Sequence, residues 1–291
     1  MTTTSPAAPR AAGSAGPPAG LAGGRGAFGR VGGMLLAEWT KIRSVRSTLW
    51  TLILFVILTV GLTAGLTELI VANWNAPRAG GGNGHLAIIA DPVAFVLGTG
   101  IGLGQLTICV LGVLVMTTEY STGVIRASLL AVPRRLEMLV AKATVFTLIL
   151  VVLAEIVVFG SFFVGSALLH SKVAVSLSDP GVTRAVVGAG LYLTVLGLFA
   201  MGIGGAIRHT AGAIATVIGV VLVLPILAGL LPGSWGAHVN AYLPEQAGSL
   251  VYGAHRALGQ LLSPWEGFGV FCLWTAVLLA LTGYLLVRRD A

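Results

Sequence analysis

Glu155 is the residue of this sequence best placed to do chemistry, because it lies near the middle of a long apolar run. An ionised carboxylate at the centre of a bilayer costs several kcal/mol unless it has a partner. We therefore expect Glu155 to face other helices or a water-filled path, or to stay protonated. Gln105, inside another apolar run, is a candidate polar partner. Two roles stay open for Glu155: it lines a path or a subunit interface, or it makes a structural hydrogen bond between helices.

Patterns of known catalytic and metal-binding sites are missing from the sequence. It contains no Gly-x-x-x-x-Gly-Lys-Ser/Thr loop, no His-Glu-x-x-His and no Gly-x-Ser-x-Gly. The histidines are scattered without ligand-like spacing, and Cys109 and Cys272 lie inside apolar runs, as buried hydrophobic residues do. We expect no catalytic residue, no metal site and no cofactor bound by this chain.

The composition is that of a protein whose main solvent is lipid. Of 291 residues, 56% are hydrophobic and 9% are charged, and the mean hydropathy is +0.96. A soluble protein carries about 25% charged residues. The net charge of +7 comes from basic residues that flank apolar runs, which indicates membrane topology rather than a nucleic-acid partner.

Six apolar windows are long enough to cross a bilayer, which takes about 20 residues. The windows cover residues 49–71, 93–116, 143–169, 185–207, 211–231 and 267–287. Only Arg208, His209 and Thr210 separate the fourth window from the fifth, so we predict a tight hairpin there. The sequence thus predicts an all-α integral membrane domain over residues 30–291, preceded by a disordered tail, residues 1–29, rich in Ala, Gly and Pro. We expect no cleaved signal peptide.

Lysine and arginine are distributed unequally between the two sides of these spans. With the N-terminus inside, 4 of the 17 basic residues lie outside (Arg78, Lys172, Arg184 and Arg256) and the other 13 inside. Cytoplasmic loops carry such an excess. We therefore predict an inner- or plasma-membrane protein with both termini in the cytoplasm.

Glycines recur inside two of the spans. The second contains Gly98, Gly100, Gly102 and Gly104, and the fourth contains Gly202, Gly204 and Gly205. Neither run has the spacing of a dinucleotide-binding loop. Small residues four apart are typical of closely packed membrane helices, so we expect a packing role.

The segment before the first span favours an interfacial helix. Leu35, Trp39, Ile42, Val45 and Leu49 recur at helical spacing, and basic residues stand between them. Such a helix lies on the anionic surface of the membrane. The residues that would bind lipid headgroups or the interface are Glu38, Trp39, Lys41 and Arg43. A simple basic flank that fixes topology is the alternative.

The loop between the second and third spans favours a short amphipathic helix. Thr118 is a candidate N-cap with Glu119 in the first turn, and Pro133 ends the pattern. An apolar face runs along the segment because Tyr120 and Val124, like Ile125 and Leu129, lie one turn apart. A helix of this kind can be gripped by a partner protein. An ordinary interfacial turn is the alternative.

This loop resembles the signature of ABC-2 type permeases, E-[YF]-x-x-G-[TVM]-I-R-x-x-L-x-x-x-P-R-R. The matching residues are Glu119, Tyr120, Gly123, Val124, Ile125, Arg126, Leu129, Pro133, Arg134 and Arg135. The Leu35, Glu38 and Lys41 pattern is similar to the same family's interfacial helix. The resemblance implies half of an exporter, paired with a second permease copy or paralogue and with cytoplasmic ABC ATPase subunits that bind ATP and Mg²⁺. It also implies that the loop helix couples the permease to the ATPase.

The loop from Pro232 to Glu266 is long and contains a candidate helix. Leu250, Ala254, Leu258 and Leu261 repeat at helical spacing after a start at Pro244. This helix would lie on or dip into the outer leaflet, where it caps an exit path or only packs. Two other functions remain open for the whole chain: a proton- or ion-coupled secondary carrier that uses Glu155, and a non-transporting scaffold or immunity protein.

Overall fold

The protein is an all-α membrane protein with six helices long and apolar enough to cross a bilayer. The computed structural model describes residues 32–33, 35–36, 39–40, 46–75, 88–121, 135–256 and 259–288, and this part of the chain contains no strand. The predicted tail, residues 1–29, lies outside it. The six long helices are α1 (Arg46–Ala72), α2 (Pro92–Ser121), α3 (Arg135–Leu169), α4 (Val182–Ile207), α5 (Thr210–Gly229) and α8 (Pro264–Arg288). Two short helices, α6 (Gly233–Ala241) and α7 (Pro244–Ser249), lie between α5 and α8.

The alternating spans give the bundle two ends. We call the end with Ser121, Arg135 and Arg208 the basic face, and the end with Asp91 and Pro264 the opposite face. All six predicted spans are confirmed, and α2 and α3 continue beyond their apolar windows at the basic face. Thr118 lies inside α2, where its hydroxyl donates to the Leu114 carbonyl at 2.7 Å. The prediction that Thr118 caps a separate helix is therefore wrong.

Glycines bring the spans together, as predicted, at most of the expected positions. A Cβ atom on Gly100 or Gly104 would overlap Thr59 or Thr63 of α1, and one on Gly205 would overlap Thr282 of α8. Gly202 and Gly204 likewise lie in close contact with neighbouring helices. Gly98 and Gly102 have no neighbour within 4 Å, so the packing role predicted for these two is wrong within the described chain. They lie on another side of α2 from Gly100.

The hairpin between α4 and α5 is confirmed. Arg208 ends α4 in the left-handed conformation, with φ of 61°, and His209 caps α5 by accepting a hydrogen bond from the Gly212 amide at 3.2 Å. Two adjacent residues therefore reverse the chain. Farther along, α5 widens into a π-turn at Gly219–Val223 and continues as an α-helix from Leu224 to Gly229.

The segment between α5 and α8 re-enters the bundle from the opposite face. Helix α6 (Gly233–Ala241) leads inward, and α7 (Pro244–Ser249) with a 3₁₀ turn (Leu250–Tyr252) leads back out. The Trp274 indole donates to the Tyr242 carbonyl at 3.1 Å. Trp274 lies ten residues into α8, about 15 Å from its start at 1.5 Å per residue. Tyr242 therefore reaches about half of the ~30 Å hydrocarbon thickness.

The helix predicted in this segment is correct at its start and wrong in its length. It begins at Pro244, but the α-helix ends at Ser249 and residues 253–256 are not helical. The regular spacing continues to Leu261, which lies in a bend rather than a helix; Leu258 lies outside the described residues. The Arg184 guanidinium, which donates to the carbonyls of Val251, Gly253 and Ala254 at 2.8–3.2 Å, holds the non-helical exit in place.

Candidate functional site

A buried ion pair joins α2 to α3 at the basic face. The Lys142 ammonium donates to the Glu119 carboxylate at 2.8 Å, and the two residues are 2% and 7% exposed. Glu119 lies in the last two turns of α2, and Lys142 lies two turns into α3. The pair lies just outside the two apolar windows, where both helices continue beyond them. The ion pair thus ties together the two helices that lead into and out of the loop of residues 122–134.

Tyr120, the next residue of α2, contacts the α4–α5 hairpin. The Arg208 guanidinium carbon lies 5.0 Å from the centre of the Tyr120 ring, a cation–π distance. The same guanidinium donates to the Leu285 carbonyl of α8 at 3.0 Å. We call Glu119, Tyr120, Lys142, Arg208 and Leu285 the basic-face cluster. It links the ends of α2, α3, α4 and α8.

Sequence reasoning found only part of this cluster. Glu119 and Tyr120 were singled out in the permease-like loop, whereas Lys142 and Arg208 were counted only as topology charges. Their position within or beside an apolar window was the available signal, because a basic residue there needs a partner. Arg135 begins α3. The other predicted loop residues lie outside the described part of the chain: Gly123, Ile125, Arg126, Leu129, Pro133 and Arg134.

The predicted interfacial helix is only partly described. Residues 35–36 and 39–40 are helical, and Leu36 and Trp39 are exposed. The Thr40 hydroxyl donates to the Leu36 carbonyl at 2.8 Å, a one-turn bond. Glu38, Lys41 and Arg43 lie outside the described residues. Helical structure agrees with the expectation at these positions, and the location on the membrane surface stays a prediction.

Glu155 lies half-buried in the middle of α3, against α4. Its carboxyl group occupies the space that a Cβ atom on Gly190 would fill. In the described chain Glu155 makes no hydrogen bond, and its Oε2 atom is buried without a partner. Its neighbour Ile156 is exposed. Glu155 therefore lies at the edge of the bundle, with one oxygen inside it.

Gln105 is bonded to a residue other than the one proposed for it. Its side-chain oxygen accepts a hydrogen bond from the Tyr192 hydroxyl at 2.6 Å, and its amide donates to the Gly102 carbonyl at 3.3 Å. The candidate pairing of Gln105 with Glu155 is therefore absent from the described structure. Fully buried Tyr192 of α4 bonds to Gln105 instead, and the Glu155 carboxyl lies against Gly190.

The re-entrant segment adds an acidic residue close to this level. The Tyr192 ring stacks edge-on against Tyr252, with ring centres 5.6 Å apart. Glu245, in the first turn of α7, accepts a hydrogen bond from the neighbouring Gln246 amide at 2.9 Å. The Glu245 side chain is partly buried there. Hydropathy alone had placed Glu245 in an outer loop, so sequence reasoning missed it.

No group of three or more His, Cys, Asp or Glu side chains within the described ranges has the geometry of a metal site. Comparison with models of known protein families and with curated proteins finds no match for this chain. The assignment of a function therefore depends on the geometry of the basic-face cluster and of the two deep acidic residues.

Proposed function

We propose that this chain is the membrane permease subunit of an ATP-binding-cassette exporter, whose ATPase is a separate cytoplasmic protein. The observation that carries the proposal is the basic-face cluster. It connects both ends of the permease-like loop to α4 and α8. A protein that pulls on residues 122–134 would therefore move several spans together rather than bend one loop.

The orientation in this proposal places the basic face in the cytoplasm. The 13-to-4 distribution of the 17 basic residues supports it. The chain's own role would be mechanical, because ATP and Mg²⁺ would bind to the partner ATPase. Closure of two ATPase domains would displace the loop, and the buried Glu119–Lys142 pair would transmit that displacement to α2 and α3 as one unit.

The face of α1 supports pairing with a second permease, either a copy or a paralogue. Of the six spans, α1 is the least covered by the rest of the chain. Gly61 and Gly65 lie four residues apart on its exposed side, with no neighbour within 4 Å. Small residues at this spacing allow close approach of another helix. Glu155, at the edge of the bundle, would line the path or the interface between the two permeases.

Association with the ATPase tests the proposal directly. The proposal requires an ABC ATPase gene near the gene of this chain; the affinity-tagged chain is co-expressed with that ATPase, solubilised in detergent and recovered on resin. We expect wild-type protein to retain the ATPase, and the double variant Gly123→Ala, Arg126→Ala to lose most of it. Arg256→Ala, an exposed arginine on the opposite face, is the matched control. If the double variant recovers as much ATPase as wild type, the loop does not couple the two proteins. If wild type recovers no ATPase, the proposed function is wrong.

A proton-coupled carrier is the second candidate, and Glu245 favours it. A carrier of this class uses acidic residues within the membrane, and the re-entrant segment brings a second one, besides Glu155, into the bundle. Transport into inverted vesicles distinguishes the two functions. Export by the ABC complex stops with vanadate and persists with a protonophore, whereas a proton-coupled carrier shows the reverse.

A further inference from the structure

An apolar groove of about 320 Å³ lies on the flank of the bundle between α4, α5 and α8. Its volume is at the lower end of the ~300–1,000 Å³ range of small-molecule sites. Phe199 and Ile203 form its floor, Val220 and Leu224 one wall, and Trp274 and Leu278 the other. Leu224 and Trp274 are also exposed to the surroundings, so the groove opens sideways towards lipid.

The polar groups around the groove are already used within the chain. The Thr216 hydroxyl donates to the Gly212 carbonyl at 2.8 Å, and the Trp274 indole donates to the Tyr242 carbonyl at 3.1 Å. These two side chains therefore offer no free N–H or O–H donor to an occupant, and the other lining side chains are apolar. The walls suit a hydrocarbon chain and would leave a polar occupant without hydrogen bonds.

The groove extends through one leaflet. It begins at Ile207, the last residue of α4 on the basic face, and ends at Leu243 and Pro244 of the re-entrant segment, near the middle of the bilayer. Along α4, Phe199 and Ile207 are eight positions apart, which corresponds to about 12 Å. Half of a bilayer's hydrocarbon thickness is about 15 Å. The re-entrant segment thus closes the groove at the depth where the acyl chains of one leaflet end.

The mouth of the groove on the basic face carries positive charge. Arg208 follows Ile207 directly and bridges to Leu285, two turns below Leu278 on α8. The Arg208 guanidinium lies between the Tyr120 ring and the Leu285 carbonyl, and within the described ranges no acidic side chain is within ion-pair distance of it. His209 is exposed beside it, at the N-terminus of α5, where the helix dipole also favours an anion.

We propose that this groove binds one acyl chain of an anionic phospholipid from the leaflet on the basic face, with the lipid phosphate at Arg208 and His209. The apolar walls suit the acyl chain, the depth of the groove suits the length of a chain in one leaflet, and the positive charge at the mouth suits the phosphate. The bound chain would contact α5, α8 and the re-entrant segment together. The inference requires a chain inserted in a membrane and is independent of coupling to an ATPase.

Photocrosslinking with lipids tests the site on the full-length protein. The purified chain is reconstituted with trace phosphatidylglycerol that carries a diazirine near the end of one acyl chain, illuminated and mapped by peptide mass spectrometry. A second sample contains phosphatidylcholine with the same chain. We expect adducts concentrated on the groove-lining segments of α4, α5, α7 and α8. Because one basic residue near an anionic headgroup is worth about fivefold in binding, we expect about fivefold more groove labelling with phosphatidylglycerol.

Two matched variants test whether the groove holds the lipid. Ala206→Phe places a ring in the groove, and Val152→Phe adds the same ring to the exposed side of α3. We expect the first to lower groove labelling severalfold and the second to leave it unchanged. Labelling in proportion to exposure on all spans, equal labelling by the two lipids, or a groove occupied by a helix of a second copy would each overturn the proposal. The headgroup comparison uses wild-type protein and does not depend on either variant folding.

Discussion

Removing the cation from the buried Glu119–Lys142 pair should destabilise the whole bundle. In Lys142→Met the Glu119 carboxylate keeps its buried position at the end of α2 and loses the ammonium 2.8 Å away. Loss of one member of a buried ion pair costs about 3–5 kcal/mol. For chains of about this size, 1 kcal/mol shifts Tm by roughly 2–4 °C. We therefore expect Tm to fall by on the order of 10 °C, measured by thermal unfolding of the purified protein in detergent.

The double variant Glu119→Gln, Lys142→Met distinguishes the contribution of the two charges to stability from the contribution of the packed methylene groups of the same side chains. Without either charge, no buried carboxylate has lost its ammonium, and replacement of a buried pair is often close to neutral. We expect the double variant to recover most of the lost Tm. Lys172→Met, an exposed lysine on the opposite face, is the control and should unfold like wild type. If Lys142→Met unfolds at the wild-type temperature, or if the double variant is no more stable than the single one, the pair does not hold α2 to α3.

Two further predictions concern the interior. Gly190→Ala should cost about 1–3 kcal/mol in unfolding free energy by displacing the Glu155 carboxyl, whereas Gly102→Ala, which meets open space, should unfold at or above the wild-type Tm. Glu155→Gln should lower efflux from vesicles while assembly, followed by size-exclusion chromatography, stays normal; unchanged efflux would remove the path role.

The number and position of the spans could be predicted because each depends on local composition. A run of about 20 apolar residues suits lipid whatever it packs against, and glycines at Gly100 and Gly104 indicate close approach without naming the partner helix. The ends of α2 and α3 could not be predicted from hydropathy. In the extended parts Glu119 contacts Lys142, which is 23 residues away in sequence.

The polar contacts deep in the bundle could not be predicted from the sequence, for two related reasons. Gln105 bonds to Tyr192, 87 residues away, and only the packing of α2 on α4 brings them together. Glu245 lies in a polar stretch that hydropathy places outside the membrane, although the chain around it re-enters the bundle. The start of α7 at Pro244 was predictable because proline favours the first turn of a helix; its depth was not.

The π-turn in α5 keeps one side of that helix against the bundle. The buried positions Ala213, Val217, Val221 and Pro225 are each four residues apart, although a regular α-helix, at 3.6 residues per turn, would rotate by about 40° at every such step. The wider turn at Gly219–Val223 absorbs this drift. The π-turn therefore accommodates one extra residue without changing which side of α5 faces the bundle. Deleting a single residue at the π-turn would let α5 continue as a regular α-helix with its outer half facing the same way, whereas deleting a residue elsewhere in α5 would turn everything beyond it by about 100° and redirect the re-entrant segment.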